Sequence, residues 1–266
     1  MHTNYVISLA TATHRRAHIK QEFGRHNISF EFYDALSPSE HLNQLIQTHL
    51  PNLAHAKLSE GEKACFMSHY MLWQKCIDEN LPYIYIFEDD VLLGEDAYQF
   101  LEEDDWLNER FTKNDAFILR FETFLNYSKC AEANIKPYCQ RQILKLVVEN
   151  CGTAGYVISN KEIIELVKFI KTLSAQALCS IDLIMFNRFN QDTYQLVPAL
   201  CIQENQYYPN NSNLNSQLQK EREDIHNKKE KRTISSLLIS LINKPKKIYN
   251  KLYKKLYISR HIVPFK

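Results

Sequence analysis

The stretch YIYIFEDDVLL, residues 83–93, decides how the rest of the chain is read. Five apolar and aromatic residues in a row, preceded by Pro82, spell a strand covered on both faces, because a strand with one wet face alternates. Glu88, Asp89 and Asp90 follow directly, and buried carboxylates are costly unless they are paired. Open α/β folds place ligands at the carboxyl ends of their strands, which is where these acids fall. By the two-residue period of a strand, Glu88 and Asp90 point to one side and Asp89 to the other. Two oxygen donors on one side suit a hard divalent cation, Mn²⁺ or Mg²⁺, carrying a diphosphate. A solvated turn ahead of GEDAYQF is the alternative reading of the same acids.

Outward from this stretch the pattern is that of a layered α/β domain. NYVISLA at 4–10, a helical run after THRR, and the alternating ISFEFYDAL at 28–36 predict a β-α-β opening and a parallel sheet. SEGEKACFMSHYMLWQKCIDE at 59–79 predicts a helix whose Ser59 and Glu62 stand at capping-box spacing. Strands are expected in DAFILRFE (115–122), LKLVVEN (144–150), CGTAGYVIS (151–159) and YQLVPALCIQ (194–203), with a helix capped by Asn160 over NKEIIELVKFIKTL.

The 266 residues divide into two regions by charge. Residues 219–266 hold 14 Lys and Arg against 4 Asp and Glu, leaving 18 against 27 for the rest. We expect one catalytic domain over 1–215, then a polar linker and a basic amphipathic helical tail over 216–266. In that tail Ile234, Leu237, Leu238, Leu241 and Ile242 make one stripe, and Ile248, Leu252, Tyr253 and Leu256 make another. Apolar stripes with lysines opposite suit an anionic membrane surface better than nucleic acid, so no nucleic-acid partner is expected. The seven scattered cysteines, in no metal-ligand spacing, read as free thiols. The N-terminus lacks signal-peptide character. A cytoplasmic protein, peripheral on an anionic membrane surface, is the expectation.

Six motifs in order, YVISL with RR, FYDAL, LSEGEKACFMSHYMLW, LPYIYIFEDDVLL, GTAGYVIS and SIDLIM, resemble glycosyltransferase family 25, which includes bacterial lipooligosaccharide galactosyltransferases. The resemblance covers about residues 3–215. It implies a GT-A-like, Rossmann-like nucleotide-diphospho-sugar fold, a UDP-sugar donor, inversion at the anomeric carbon and usually Mn²⁺. The transfer it implies is of a hexose, galactose in β linkage, to the terminal sugar of a lipid-anchored lipooligosaccharide or lipopolysaccharide core. Two rival classes stand beside it: a Mg²⁺-dependent phosphate-ester or nucleotide-sugar hydrolase that uses the same acids, and a catalytically silent sugar-binding protein in which the acids are a surface turn.

Carried over residue by residue, the resemblance puts the metal on Asp90 and Glu88, with Gln203 or Glu204 where a third ligand is usual. It puts the donor nucleotide-sugar against Ser8, Leu9, Arg15, Ser68, His69 and Asp89. Arg15 and Arg16 are equivalent by sequence, since either fork suits a diphosphate. Gly152, Thr153 and Gly155 are expected to let a sugar approach the backbone. Asp182, an acid within the apolar CSIDLIMFNRF, matches the family's downstream acid and is the expected general base. Its other reading is an acid at a helix N-terminus, favoured by the dipole.

Overall fold

The β-α-β opening forms as the sequence predicts: β1 (Asn4–Ser8), α1 (Thr13–Arg25) and β2 (Glu31–Asp34), with β2 parallel to β1. The computed structural model describes residues 2–147, 152–189, 192–209, 214 and 259–266. After α2 (Glu40–His49), α3 (Glu60–Asp78) begins with the expected capping box. Ser59 Oγ accepts the Glu62 N–H at 3.1 Å and the Glu62 carboxylate accepts the Ser59 N–H at 2.9 Å. Phe66, Met67, Tyr70 and Trp73 of α3 are fully buried, and each such side chain contributes ~1.5–3 kcal/mol.

The decisive stretch becomes β3 (Tyr83–Glu88), followed by β4 (Val91–Leu93). Ile84 and Ile86 join the core under α3, whereas Tyr83, Tyr85 and Phe87 join the core shared with Ile19 and Phe23 of α1. Both faces are covered, which is why no alternation shows in the sequence. Short helices α4 (Ala97–Leu101) and α5 (Asp105–Asn108) close the second core.

DAFILRFE splits into β5 (Ile118–Arg120) and β6 (Glu122–Thr123). Then come β7 (Tyr127–Ala131), β8 (Gln142–Leu146), β9 (Gly155–Ser159), α6 (Asn160–Thr172), α7 (Ile181–Leu183), β10 (Thr193–Val197), β11 (Cys201–Gln203), α8 (Glu204–Tyr207) and β12 (Ser259–Ile262). Among the described residues the large sheet has the order β12-β7-β8-β10-β5-β9-β3-β1-β2, and β4-β11-β6 form a small second sheet.

Four expectations are corrected. The sheet is mixed rather than parallel, because β9 enters from the site end at Gly155 and runs antiparallel between β3 and β5. YQLVPALCIQ is two strands in two sheets, divided at Pro198, which cannot donate to a ladder. The α6 cap is the Ser159 hydroxyl, which accepts from Glu162; the Asn160 amide instead ties α3 to β3 by donating to the carbonyls of Cys76 and Leu81. Finally, residues 259–266 belong to the domain and not to a helical tail. SRHI pairs antiparallel with β7, Thr123 Oγ1 donates to the Val263 carbonyl at 2.6 Å, and the Arg141 guanidinium donates to that of Lys266 at 2.6 Å. The two stripes at 234–256 lie outside the described residues. No helix among the described residues is long and apolar enough to cross a membrane, and their six cysteines are free thiols.

Candidate functional site

Strand β3 delivers its three carboxylates beside the end of β1 and the first turn of α1. Asp89 and Asp90 fall in the turn just after β3, and both reach the Arg15 guanidinium, so the strand period does not set them on opposite sides. One Asp89 oxygen accepts the Ser8 hydroxyl at 2.7 Å and the other accepts Arg15 Nη1. Arg15 Nη2 donates on to Asp90 at 3.2 Å. Burial disfavours the guanidinium charge, but Asp90 and Asp89 outweigh it and raise the Arg15 pKa further. The ambiguity between the two arginines is thereby resolved in position. Arg16 donates to the Ser8 and Leu9 carbonyls at 2.9 and 3.1 Å and pairs with Asp34, lacing β1 to β2.

Glu88 and Asp90 converge on Gln203 at the end of β11. Gln203 Nε2 lies 3.3 and 3.4 Å from the two Asp90 oxygens and 3.5 Å from Glu88 Oε2. Burial drives the Asp90 carboxyl up to about 6; Arg15 opposes this, and the charges of Glu88 and Asp89 add to it. Burial acts the same way on Glu88, yet His69, Thr153 and Arg15 prevail and hold its pKa below the usual value. Thr153 Oγ1 donates to Glu88 Oε1 at 2.7 Å. No three His, Cys, Asp or Glu side chains among the described residues form a complete metal cage. Two crowded carboxylates and a carboxamide that can be turned over are a donor set that would fit a hard divalent cation. The main chain of Glu204, the other candidate, ties α8 to this corner by donating its N–H to the Asp90 carbonyl at 2.8 Å.

Gly152, Thr153 and Ala154 each reach a different carboxylate. The Gly152 N–H donates to Asp182 Oδ2 at 3.0 Å, Thr153 to Glu88, and the Ala154 N–H to Glu122 Oε2 at 3.0 Å. Gly152 has φ +96°, and a Cβ there would meet Glu122 Oε2 at 2.6 Å, so glycine is required on both counts. Asp182 lies in α7, its Oδ1 accepting the Leu183 N–H at 2.9 Å. It is half-buried, and each oxygen keeps a second lone pair.

Three expected contacts are corrected by burial. Ser68 is fully buried, donating to the Ala64 carbonyl at 2.8 Å and accepting from Leu36 at 2.9 Å, so it fixes the segment after β2. His69 is fully buried behind Glu88, with Nε2 3.7 Å from Glu88 Oε1, and offers a donor no surface. Gly155 is closed off as well: a Cβ would run into Cys201 Sγ and lie 3.2 Å from the Phe87 ring, so it serves the packing of β9.

Sequence reasoning missed Glu122. It follows Phe121 and opens β6, where Glu88 follows Phe87 and closes β3, and that repeated Phe-Glu after an apolar run is the signal that would have found it. Glu122 is 0% exposed and pairs with Arg120 at 3.3 Å. Burial raises its carboxyl to about 8, with Arg120 opposing and Glu88 adding to the rise. The folded protein therefore holds a proton there that the unfolded chain releases above about 4.5. Stability from this group is fully present below that value and lost as pH rises toward 8, at up to about 1.4 kcal/mol per pH unit. Glu122→Gln keeps the acceptor for Ala154, and is expected to flatten the fall in thermal midpoint between pH 5 and 8. An unchanged slope would show that Glu122 is ionised throughout.

Known proteins share this chain's sequence over most of its length. The profile of glycosyltransferase family 25, described as an LPS biosynthesis protein, matches residues 1–185. The chain is 62% identical over all of both chains to the lipooligosaccharide biosynthesis protein lic2B of Haemophilus influenzae. It is 47% identical to the lacto-N-neotetraose biosynthesis glycosyltransferase LgtB of Neisseria meningitidis serogroup B, over 86% of each chain. To LgtE of Neisseria gonorrhoeae, of the same description, it is 48% identical over 83% of this chain and 81% of that one.

Proposed function

The chain belongs to glycosyltransferase family 25 as a glycosyltransferase of lipooligosaccharide biosynthesis, and we propose that it is an inverting, metal-dependent enzyme that moves a hexose from a UDP-sugar to a terminal core sugar. Galactose in β linkage is the hexose in this reading, with a GT-A-like site. The observation that carries it is the convergence of Glu88 Oε2 and both Asp90 oxygens on one point at the carboxyl end of β3. The relatives named for lacto-N-neotetraose biosynthesis support an oligosaccharide acceptor.

Asp90, Glu88 and Gln203 would hold Mn²⁺ or Mg²⁺, which when bound supplies positive charge to the leaving diphosphate. Arg15, fixed by Asp89, stands beside Asp90 to bind phosphate oxygens, and Ser8 locks Asp89 in place. Gly152 and Thr153 shape the wall against which the sugar rests. Asp182, bound to the Gly152 N–H, takes the proton of the acceptor hydroxyl. Glu122 is too deeply buried for that role. Incubation with a panel of UDP-sugars, a terminal glucoside or N-acetylglucosaminide acceptor and Mn²⁺ tests the reading. Chelator-sensitive transfer from one donor is expected. UDP-sugar hydrolysis without acceptor would favour a hydrolase, and failure to bind UDP would leave a silent sugar-binding protein.

The basic segment is proposed to hold the enzyme on anionic lipid at the inner face of the inner membrane. Because residues 259–266 complete the sheet, the test replaces only residues 233–256 with a Gly/Ser linker of equal length. Vesicle binding is expected to be lost and activity on a soluble acceptor kept; equal vesicle binding would remove the tail from this role.

A further inference from the structure

Behind Glu88 lies a chain of three side chains whose hydrogen-bond directions can be counted. Trp73 Nε1, His69 and the Tyr156 hydroxyl are fully buried together. An indole N–H only donates, and it points at the Tyr156 oxygen at 3.0 Å. The single Tyr156 hydrogen then needs an acceptor, and His69 Nδ1 stands 2.9 Å away. With Nδ1 accepting, a neutral imidazole carries its hydrogen on Nε2, the nitrogen 3.7 Å from Glu88 Oε1. In the reverse arrangement Nδ1–H and the indole N–H would both donate to one tyrosine oxygen. The hydroxyl hydrogen would then be left without an acceptor among the described residues, at a cost of about 1–3 kcal/mol.

The same strand supplies the second hold on Glu88. Thr153, just ahead of β9, donates to Oε1, the oxygen that faces His69. Register along β9 sets Tyr156 beside Ile86. Oε1 thus accepts from Thr153 and faces His69 Nε2 across 3.7 Å, longer than a hydrogen bond, so the imidazole meets it as a neighbouring N–H dipole, and Oε2 is turned toward Gln203 and Asp90.

We propose that Trp73, Tyr156 and His69 form a directional relay that fixes His69 as the Nε2–H tautomer and, with Thr153, aims the second oxygen of Glu88, the one beside Gln203, at the donor diphosphate site. These are positioning residues, and none of them touches substrate. The role assigned to Glu88 rests on the proposed function, whereas the tautomer stands on the hydrogen-bond count alone.

Imidazole ¹⁵N spectra of the full chain test the relay, with His69 signals assigned by their absence in His69→Gln. The wild type is expected to show an unprotonated Nδ1 and a protonated Nε2. Tyr156→Phe is expected to abolish that preference, and Trp73→Phe to mix the tautomers by freeing the hydroxyl to turn. A wild-type Nδ1–H tautomer, or an unchanged spectrum in both variants, would overturn the relay. Calorimetry with UDP and Mn²⁺ reads the consequence: Tyr156→Phe is expected to weaken binding about 10- to 100-fold, as loss of a ligand's outer partner does. Affinity within twofold of wild type would cut the link from the relay to Glu88. The expected spectra in a protein that binds no UDP would uphold the relay and overturn the functional reading instead.

Discussion

Asp90→Asn is expected to lower kcat/KM for sugar transfer about 1000-fold, or ~4 kcal/mol of transition-state stabilisation. Asparagine keeps the shape and one acceptor oxygen but removes the negative charge that, in the proposed function, would hold the cation. The variant should nonetheless remain folded. Its carboxyl is lifted to about 6 by burial and by Glu88 and Asp89, so at pH 7 without metal the native state carries a penalty that the amide does not. The sign follows from linkage: a carboxyl raised in the folded state costs stability as pH climbs through its folded value. Thermal unfolding at pH 7 in chelator should therefore show a midpoint no lower than wild type, while calorimetry shows UDP affinity no longer responsive to Mn²⁺. Activity within tenfold of wild type would remove Asp90 from the metal site. A collapsed midpoint would mean that its bond to Arg15 matters more to folding than to chemistry.

The parts of this site that were legible in the sequence are those encoded locally. An apolar strand closing on three acids, and Ser59 with Glu62 at a helix start, each put their physical reason within a few residues. The association of Arg15 and Ser8 with Asp89 spans 74 and 81 positions, and no periodicity carries it; only the resemblance brought these segments together. Ser68 and His69 were misplaced because a polar break in an apolar helix face has two causes, a ligand or an internal partner. Leu36 and Tyr156, the partners that decide the matter, arrive from distant elements. Gly155 was read as room for a sugar when Cys201 fills that room. SRHI, four residues in a basic run, gave no period long enough to reveal β12.

Asp182→Asn should cut kcat between about 100- and 10,000-fold, the range a general base supplies, and leave UDP binding within twofold. The split follows from the contacts. Asp182 bonds to main-chain N–H groups of Gly152 and Leu183 and, among the described residues, to none of those around Asp90, so its charge is not expected to hold the proposed nucleotide. Asparagine can satisfy one of those N–H groups through its oxygen but presents an amide to the other, which adds a modest loss of stability, and it cannot accept the acceptor's proton. Glu122→Gln is the control that gives the result its meaning. Glu122 holds the N–H of Ala154 in the same short segment as Gly152, yet it is sealed from solvent and holds its proton up to about 8. Its amide variant should turn over at near the wild-type rate at pH 7. If the outcomes were exchanged, with Asp182→Asn active and Glu122→Gln silent, the packing that seals Glu122 beside Gly152 must open in the working enzyme, and the buried glutamate would be the base.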